Sequence, residues 1–239
     1  MLHSFPNPET DFSSAEQRNP WALIDLIVFA LFFLALLVLV SPLSKLPVIY
    51  AIPLQGLFNL ALVGFIAVWV RFVRRSTFVE YINLFRSRIF STRSLIALGS
   101  ASALSVVLIS PFLPTTGETP LEKLLTSRSA ILMFAVFGVA IAPLLEEVIF
   151  RGFLFKVFWE IGGSRVAIVA TAALFALLHA GQLAGNWASV ILIFVVGCVL
   201  SFVRYRSHSI IPSFIVHTSY NATLFILSAL GALAEKFST

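Results

Sequence analysis

The chain has 239 residues, of which 59% are hydrophobic and only 11% are charged, and its mean hydropathy is +0.99. A soluble domain is about 45–50% apolar and about 25% charged. A globule of this size cannot bury so much apolar surface, so part of that surface must face lipid. The single cysteine, Cys198, excludes a disulfide framework, a cysteine-ligated zinc site and an iron–sulfur cluster. We therefore predict an all-α, polytopic transmembrane helical bundle.

Seven apolar segments are candidate membrane spans, most of them long enough to cross about 30 Å of hydrocarbon as helices. Their approximate bounds are 21–40, 48–70, 94–113, 129–159, 166–180, 187–203 and 210–233. The gaps between them are short, so neighbouring helices are expected to be antiparallel. The chain thus divides into a polar N-terminal tail (1–20), N-terminal membrane helices (21–128), a C-terminal core (129–234) and a short tail (235–239).

Residues 71–93, between the second and third spans, hold six arginines and a single acid, Glu80. Apolar residues recur among the arginines at roughly helical spacing, which is typical of a basic amphipathic helix in the membrane interface. A solvated basic loop is the alternative. Most other Lys and Arg residues also flank spans, which favours contact with the lipid bilayer over binding of nucleic acid.

The distribution of basic residues also predicts sidedness. Lys and Arg are concentrated in the segments that share a side with the N-terminus, so the positive-inside rule places the N-terminus in the cytoplasm. Seven crossings then put the C-terminus on the outer side. The four tryptophans all lie at predicted helix ends, as an interfacial aromatic belt requires: Trp21, Trp69, Trp159 and Trp187.

Three charged residues interrupt the fourth apolar segment: Glu146, Glu147 and Arg151. An ionised residue at mid-bilayer costs about 2.5–3.5 kcal/mol or more, so each needs a partner or a function. Glu147 and Arg151 stand four residues apart in the favourable order for a helical ion pair, which indicates a structural role. Glu146 points to another face of the helix and has no local cation. An uncompensated carboxylate that faces a bundle interior is a candidate general base.

Two later spans carry histidines, each with a second polar or aromatic residue one turn away. Phe175 and His179 share one face of the fifth segment, and His217 and Asn221 share one face of the seventh. A lone helical histidine is usually a packing residue, but two such pairs inside the membrane favour a functional site.

The positions of Glu146 and His179 suggest that they face each other. Each lies 16.5 residues from the midpoint of Gly162-Gly163, which is a turn signal between the fourth and fifth segments. If these segments form an antiparallel hairpin, equal separations from the turn mean equal depth in the membrane.

The three patterns together resemble the CPBP family of intramembrane proteases, which includes the type II CAAX prenyl endopeptidases and the bacterial Abi-type immunity proteins. The family motifs stand here in order as Glu146-Glu147-x-x-x-Arg151, Phe175-x-x-x-His179 and His217-x-x-x-Asn221. The resemblance covers about residues 129–234.

The resemblance implies an intramembrane endopeptidase that cuts a membrane-embedded or lipid-modified substrate, of which a prenylated CAAX protein is one candidate. Glu146 would be the general base and would activate water together with His179. His217 and Asn221 would form the oxyanion hole. Glu147 and Arg151 would hold the site's shape, and Phe175 would support it.

Other interpretations stay open at this point. Glutamate and histidine can also bind zinc, although the chain has no H-E-x-x-H motif, and we expect a metal-free glutamate protease with no cofactor. A non-catalytic immunity or scaffold protein that retains the motifs is a second interpretation. A proton-coupled transporter is a third interpretation. It is disfavoured because the sequence shows neither matching broken helices nor an internal repeat, which are typical of transporters. Asp25, near the start of the first span, is expected to extend towards the interface.

Overall fold

The structure is a computed structural model, and it describes residues 19–45, 50–114, 128–183 and 186–238. These residues form helices and connecting turns, with no β-strand among them. The α-helices are α1 (Trp21–Val40), α2 (Ala51–Phe72), α3 (Phe78–Tyr81), α4 (Thr92–Ile109), α5 (Arg128–Val136), α6 (Ala142–Glu147), α7 (Phe155–His179), α8 (Trp187–Ser207) and α9 (Ile210–Ser238). Two π-helical segments, π1 (Phe137–Ile141) and π2 (Val148–Leu154), join α5, α6 and α7 into one continuous stretch.

Six helical stretches in the described part of the chain are long and apolar enough to cross a membrane. The predicted helical membrane bundle is therefore confirmed. Most of the predicted N-terminal tail and the loop after the third span lie outside the described residues. The last helix, α9, continues to Ser238, into the segment expected as a C-terminal tail.

The fourth stretch, Ile131–His179, accounts for two of the seven predicted spans. Its 49 residues would measure about 74 Å as a straight helix, far more than the hydrocarbon thickness. Gly162 and Gly163 leave the helical conformation, and Gly163 has a φ of 77°, which glycine adopts without strain. Phe150 and Phe175, equidistant from this turn, bring their ring centroids within 5.2 Å. The predicted antiparallel hairpin is thus present.

The prediction of an amphipathic helix over residues 71–93 is wrong. The only helix between α2 and α4 is the single turn of α3, which Thr77 caps by accepting a hydrogen bond from the Glu80 backbone N–H. Arg75 and Asn83 have positive φ values of 50° and 55°, which a continuous α-helix does not allow. The apolar side chains also separate: Ile82 is fully buried, whereas others further along are exposed. The alternative, a basic loop, describes this segment, and its Ile82 anchors it to the core.

A polar cluster joins α1, the loop after α2 and the first arm of the hairpin. Asp25 is fully buried, accepts a hydrogen bond from Trp69 at 2.8 Å and pairs with Arg74 at 3.2 Å. Arg74 also pairs with Glu160. Burial raises the pKa of the Tyr81 phenol beside them. The expectation that Asp25 extends to the interface is therefore wrong, because Arg74 in the loop after α2 reaches inward and pairs with it.

The helix that carries His217 is held by an unusually close contact with α4. A Cβ atom at Gly99 would lie 2.8 Å from the Ser219 Cβ and closer still to the Val216 carbonyl oxygen. Only glycine lets the two backbones approach this closely, as is common where membrane helices pack. The depth and rotation of α9 therefore depend on this position.

We predict that Gly99→Ala destabilises the protein by about 1–3 kcal/mol, because the added methyl overpacks the α4–α9 contact. Gly64→Ala is the matched control, since a Cβ there meets no atom within 4 Å. Thermal unfolding of both variants in lipid nanodiscs measures the difference. Equal midpoints for the two variants would contradict the close contact.

Candidate active site

The predicted site residues come from three parts of the bundle. The acidic motif lies on α6 and π2, the first histidine motif lies on the second arm of α7, and the second histidine motif lies on α9. The hairpin places the first two side by side, and the close α4–α9 contact fixes the third. The three motifs therefore lie on neighbouring helices that pack against one another in the bundle.

The centre of the site is a buried ion pair. Glu147 and Arg151 are both fully buried, with the Arg151 Nη1 3.2 Å from the Glu147 Oε1. Arg151 also donates to the Gly197 carbonyl oxygen of α8 at 3.3 Å, and its guanidinium lies 4.4 Å from the centroid of the Phe175 ring. The predicted pairing of Glu147 with Arg151 is present. A charge in this position is compensated by an acid, a carbonyl and an aromatic face together.

His217 lies between the two adjacent glutamates. Its Nδ1 is 3.0 Å from the Glu147 Oε1, and its Nε2 is 3.7 Å from the Glu146 Oε2. Because a carboxylate only accepts, Nδ1 donates to Glu147 and carries a proton. His217 therefore links the structural ion pair to the second carboxylate.

Glu146 is buried, with 7% of its surface exposed, and its carboxylate makes no hydrogen bond with the residues that the structure describes. Within the described residues its one ion-pair contact is with the His217 Nε2, 3.7 Å from the Glu146 Oε2. Its oxygen lone pairs are thus available to a water molecule or a substrate group. This is the arrangement that a general base requires.

His179 is oriented by its own helix. Its Nδ1 is 2.7 Å from the Phe175 carbonyl oxygen. That oxygen can only accept, so Nδ1 carries the proton and Nε2 keeps its lone pair. The Phe175 ring contacts both imidazoles, with its centroid 4.4 Å from that of His179 and 5.6 Å from that of His217. One aromatic side chain thus packs against both histidines.

In the part of the chain that the structure describes, Asn221 is the one predicted site residue with no hydrogen bond, ion pair or ring contact to the others. Its side-chain N–H donates to the Gly138 carbonyl oxygen in π1 at 2.8 Å. The amide has two N–H groups, so one remains for another acceptor.

Arg204 is a buried residue near the site that the sequence analysis missed. It lies just beyond the sixth predicted span, 187–203, but only 4% of it is exposed, and its Nε donates to the Arg151 carbonyl oxygen at 3.0 Å. A sequence signal existed, because Arg204 directly follows the apolar run of the sixth span. Because another arginine, Arg206, follows it closely, the sequence favours a position outside the membrane for both residues.

The described part of the chain contains no group of three His, Cys, Asp or Glu side chains placed to hold a metal ion. Two of the donors that are present are already engaged, since Glu147 faces a guanidinium and His217 Nδ1 is bonded to Glu147. A second cation at Glu147 would be repelled by Arg151. The donor set therefore fits a metal ion poorly.

We predict that Glu147→Leu lowers the free energy of unfolding by about 3–5 kcal/mol, because Arg151 is left buried and unpaired. The double variant Glu147→Leu/Arg151→Met removes the uncompensated charge and should regain part of that loss. Denaturant unfolding in detergent micelles compares the two. If the double variant is at least as unstable as the single variant, the unpaired Arg151 charge is not the cause of the lost stability.

Residues 128–223 match the family model described as type II CAAX prenyl endopeptidase Rce1-like. This range contains every residue of the three motifs. A curated relative, UPF0177 protein YxdF of Lactococcus lactis subsp. lactis (strain IL1403), is 28% identical over 106 residues, which are 44% of this chain and 55% of the relative. The match thus covers about half the length of that relative. No solved structure matches the chain. The resemblance inferred from the three motifs is confirmed over residues 128–223, which are similar to the Rce1-like type II CAAX prenyl endopeptidases.

Proposed function

We propose that this protein is an intramembrane endopeptidase that hydrolyses a peptide bond in a membrane-associated substrate. The family match supports a peptidase. The observation that carries the proposal is the buried Glu146 carboxylate, which has no hydrogen-bond partner among the described residues and lies next to His217. A buried acid with unused lone pairs is costly unless it has a function.

In the proposed reaction Glu146 accepts a proton from a water molecule, and the water oxygen attacks the substrate carbonyl carbon. His179 Nε2, which keeps its lone pair, accepts the second O–H of that water and orients it. The tetrahedral intermediate collapses with cleavage of the C–N bond. As this bond breaks, Glu146 returns its proton to the leaving nitrogen, so one water is consumed and an acid and an amine are released.

Oxyanion stabilisation is assigned, on the family resemblance, to His217 and Asn221. Donors aimed at the developing negative charge usually make a large contribution to such reactions. The free N–H of Asn221 and the His217 ring are one helical turn apart on α9, so a single helix presents both. Because Glu147 uses the Nδ1 proton, His217 would donate to the oxyanion through a proton on Nε2. Glu147, itself paired with Arg151, holds the His217 ring through Nδ1.

The substrate is proposed to be a lipid-modified or membrane-embedded protein, and a prenylated CAAX-type protein is the first candidate. The family match supports this class, and the site lies between helices that are long and apolar enough to cross a bilayer. The N-terminus is proposed to be cytoplasmic and the C-terminus to be on the outer side, on the distribution of basic residues.

Loss of Glu146 or His179 is predicted to abolish cleavage. Glu146→Gln and His179→Ala should each reduce the rate by about 10²–10⁴-fold, the usual contribution of a positioned acid–base group. Glu80→Gln is the control, because Glu80 is an exposed carboxylate on α3 that contacts none of the motif residues. The assay follows release of the C-terminal tripeptide from a farnesylated CAAX peptide in proteoliposomes.

If both variants cleave as fast as the wild type, the proposed mechanism is wrong. If the wild type leaves the farnesylated peptide intact but processes another membrane protein in a Glu146-dependent way, the substrate class is wrong and the reaction stands. If no processing depends on Glu146, the chain is a non-catalytic protein that retains the motifs.

We also propose that no metal takes part, because Glu147 and His217 are engaged with each other and with Arg151. Activity should therefore persist after exhaustive treatment with 1,10-phenanthroline and removal of the chelator. Loss of activity that added zinc restores would overturn this proposal. A zinc-dependent peptidase treated in parallel confirms that the chelation was complete.

A further inference from the structure

The two acids of the site lie in an unusual stretch of helix. Glu146 and Glu147 end the six-residue helix α6, with π1 before it and π2 after it. Single π-helical segments are rare and occur frequently at functional sites. The direction of every side chain in and beyond α6 depends on these two segments. If π2 relaxed to α-helix by one residue, the following side chains would rotate by about 100° around the axis.

A wider helical turn does not pair its carbonyl groups in the α-helical way, so other donors are expected to stabilise it. In π2 the Arg151 carbonyl oxygen accepts a hydrogen bond from the Arg204 Nε at 3.0 Å. Arg204 comes from α8, and the two residues are 53 positions apart in the chain. The side chain of Arg151, in the same segment, is the partner of Glu147.

Arg204 is itself held on two further sides. In the amide orientation that satisfies both of its contacts, the Asn83 oxygen accepts from the Arg204 Nη2 at 2.6 Å, and the Asn83 N–H group donates to the Glu80 carbonyl. The guanidinium also lies 5.4 Å from the centroid of the Phe155 ring. No carboxylate lies within ion-pair distance of Arg204 among the residues that the structure describes. A buried cation without an acid is costly, so its role is to be sought in the groups that it does bind.

The loop that holds Arg204 also packs directly on π2. Ile82 is fully buried, and a Cβ atom at Gly152 would lie 2.9 Å from the Ile82 Cβ. The same loop fixes the start of α9, where the Ile210 N–H donates to the Asn83 carbonyl at 3.2 Å. The loop after α3 therefore contacts both the helix that carries Arg151 and the helix that carries His217.

We propose that Arg204 is a positioning residue for the candidate active site. It holds π2 in the conformation that directs Arg151 towards Glu147, and Asn83 holds Arg204 in turn. This inference rests on the proposed function for its effect on catalysis, but its effect on π2 is independent of that function. Arg204 touches neither Glu146 nor a reacting atom, so it acts through the groups that it binds, the Arg151 carbonyl and the Asn83 side chain.

The test compares Arg204→Gln with Arg206→Gln, an exposed arginine two residues further along the same helix. The variants are reconstituted in nanodiscs, and amide hydrogen exchange is measured over residues 148–155. We expect exchange in this segment to rise about tenfold or more in Arg204→Gln, a change of about 1.4 kcal/mol in local opening. Exchange in α1 and α2 should stay as in Arg206→Gln.

Cleavage of the farnesylated CAAX peptide gives the second readout. Arg204→Gln should lower kcat about tenfold or more and leave KM within about twofold, because the substrate still binds but Glu146 and His217 are misplaced. Arg204→Lys, which restores one donor for the Arg151 carbonyl, should recover part of kcat. A merely structural role would lower the amount of active enzyme without changing kcat per folded molecule.

Asn83→Gly keeps the inference testable if Arg204→Gln does not fold. Glycine tolerates the positive φ of Asn83 and removes only its side chain. We expect the same changes in exchange and in kcat, with smaller size. Exchange over residues 148–155 equal to that of Arg206→Gln, in every variant that folds, would overturn the proposal. If Glu146→Gln retains activity, the proposed function fails, and the exchange data still decide the role of Arg204.

Discussion

The ion pair between Glu147 and Arg151 is the interaction on which the rest of the site depends. Both side chains are fully buried in a bundle whose surroundings are apolar. Neither charge is tolerable alone there, so the pair forces its neighbours to supply compensating groups. Those groups come from different helices: a carbonyl of α8, the ring of Phe175 on α7 and the imidazole of His217 on α9. One ion pair thus organises every helix that contributes to the site.

These contacts pair Glu147 with both Arg151 and His217, whereas Glu146 has only the longer contact with the His217 Nε2 within the described residues. The two acids are adjacent in sequence and both are buried, but only Glu147 pairs with Arg151. Environment, rather than residue type, separates a structural carboxylate from one that can take up a proton. His217 touches both acids, so the position of the second acid is set through the first.

Much of this could be predicted from the sequence, because it follows from local spacing. Apolar runs of about 20 residues indicate spans, and residues four apart on a helix share a face. The hairpin at Gly162-Gly163 followed from its turn residues, and the contact between Phe150 and Phe175 confirms it. That hairpin supports the expectation that Glu146 and His179 lie at equal depth, which stays a prediction.

What the sequence did not reveal depends on contacts between distant segments. The spacing of residues 71–93 is helical, but Ile82 packs on Gly152 and two residues adopt positive φ, so tertiary contacts override the local pattern. The same is true of Asp25 and Arg204, whose partners lie far away in the chain. No residue pattern in the sequence marks the two π-helical segments. Their stability depends on contacts with the surrounding helices, which only the structure shows.

The central claim is that Glu146 and His179 share one water-accessible pocket in which an amide is split. The most direct test is an experimental structure with a peptide phosphonate, a stable mimic of the tetrahedral intermediate, bound from a lipid environment. The account predicts phosphonate oxygens within hydrogen-bond distance of the Glu146 carboxyl group and the His179 Nε2. A phosphonate bound elsewhere, or side chains packed between these two residues in its presence, would contradict it.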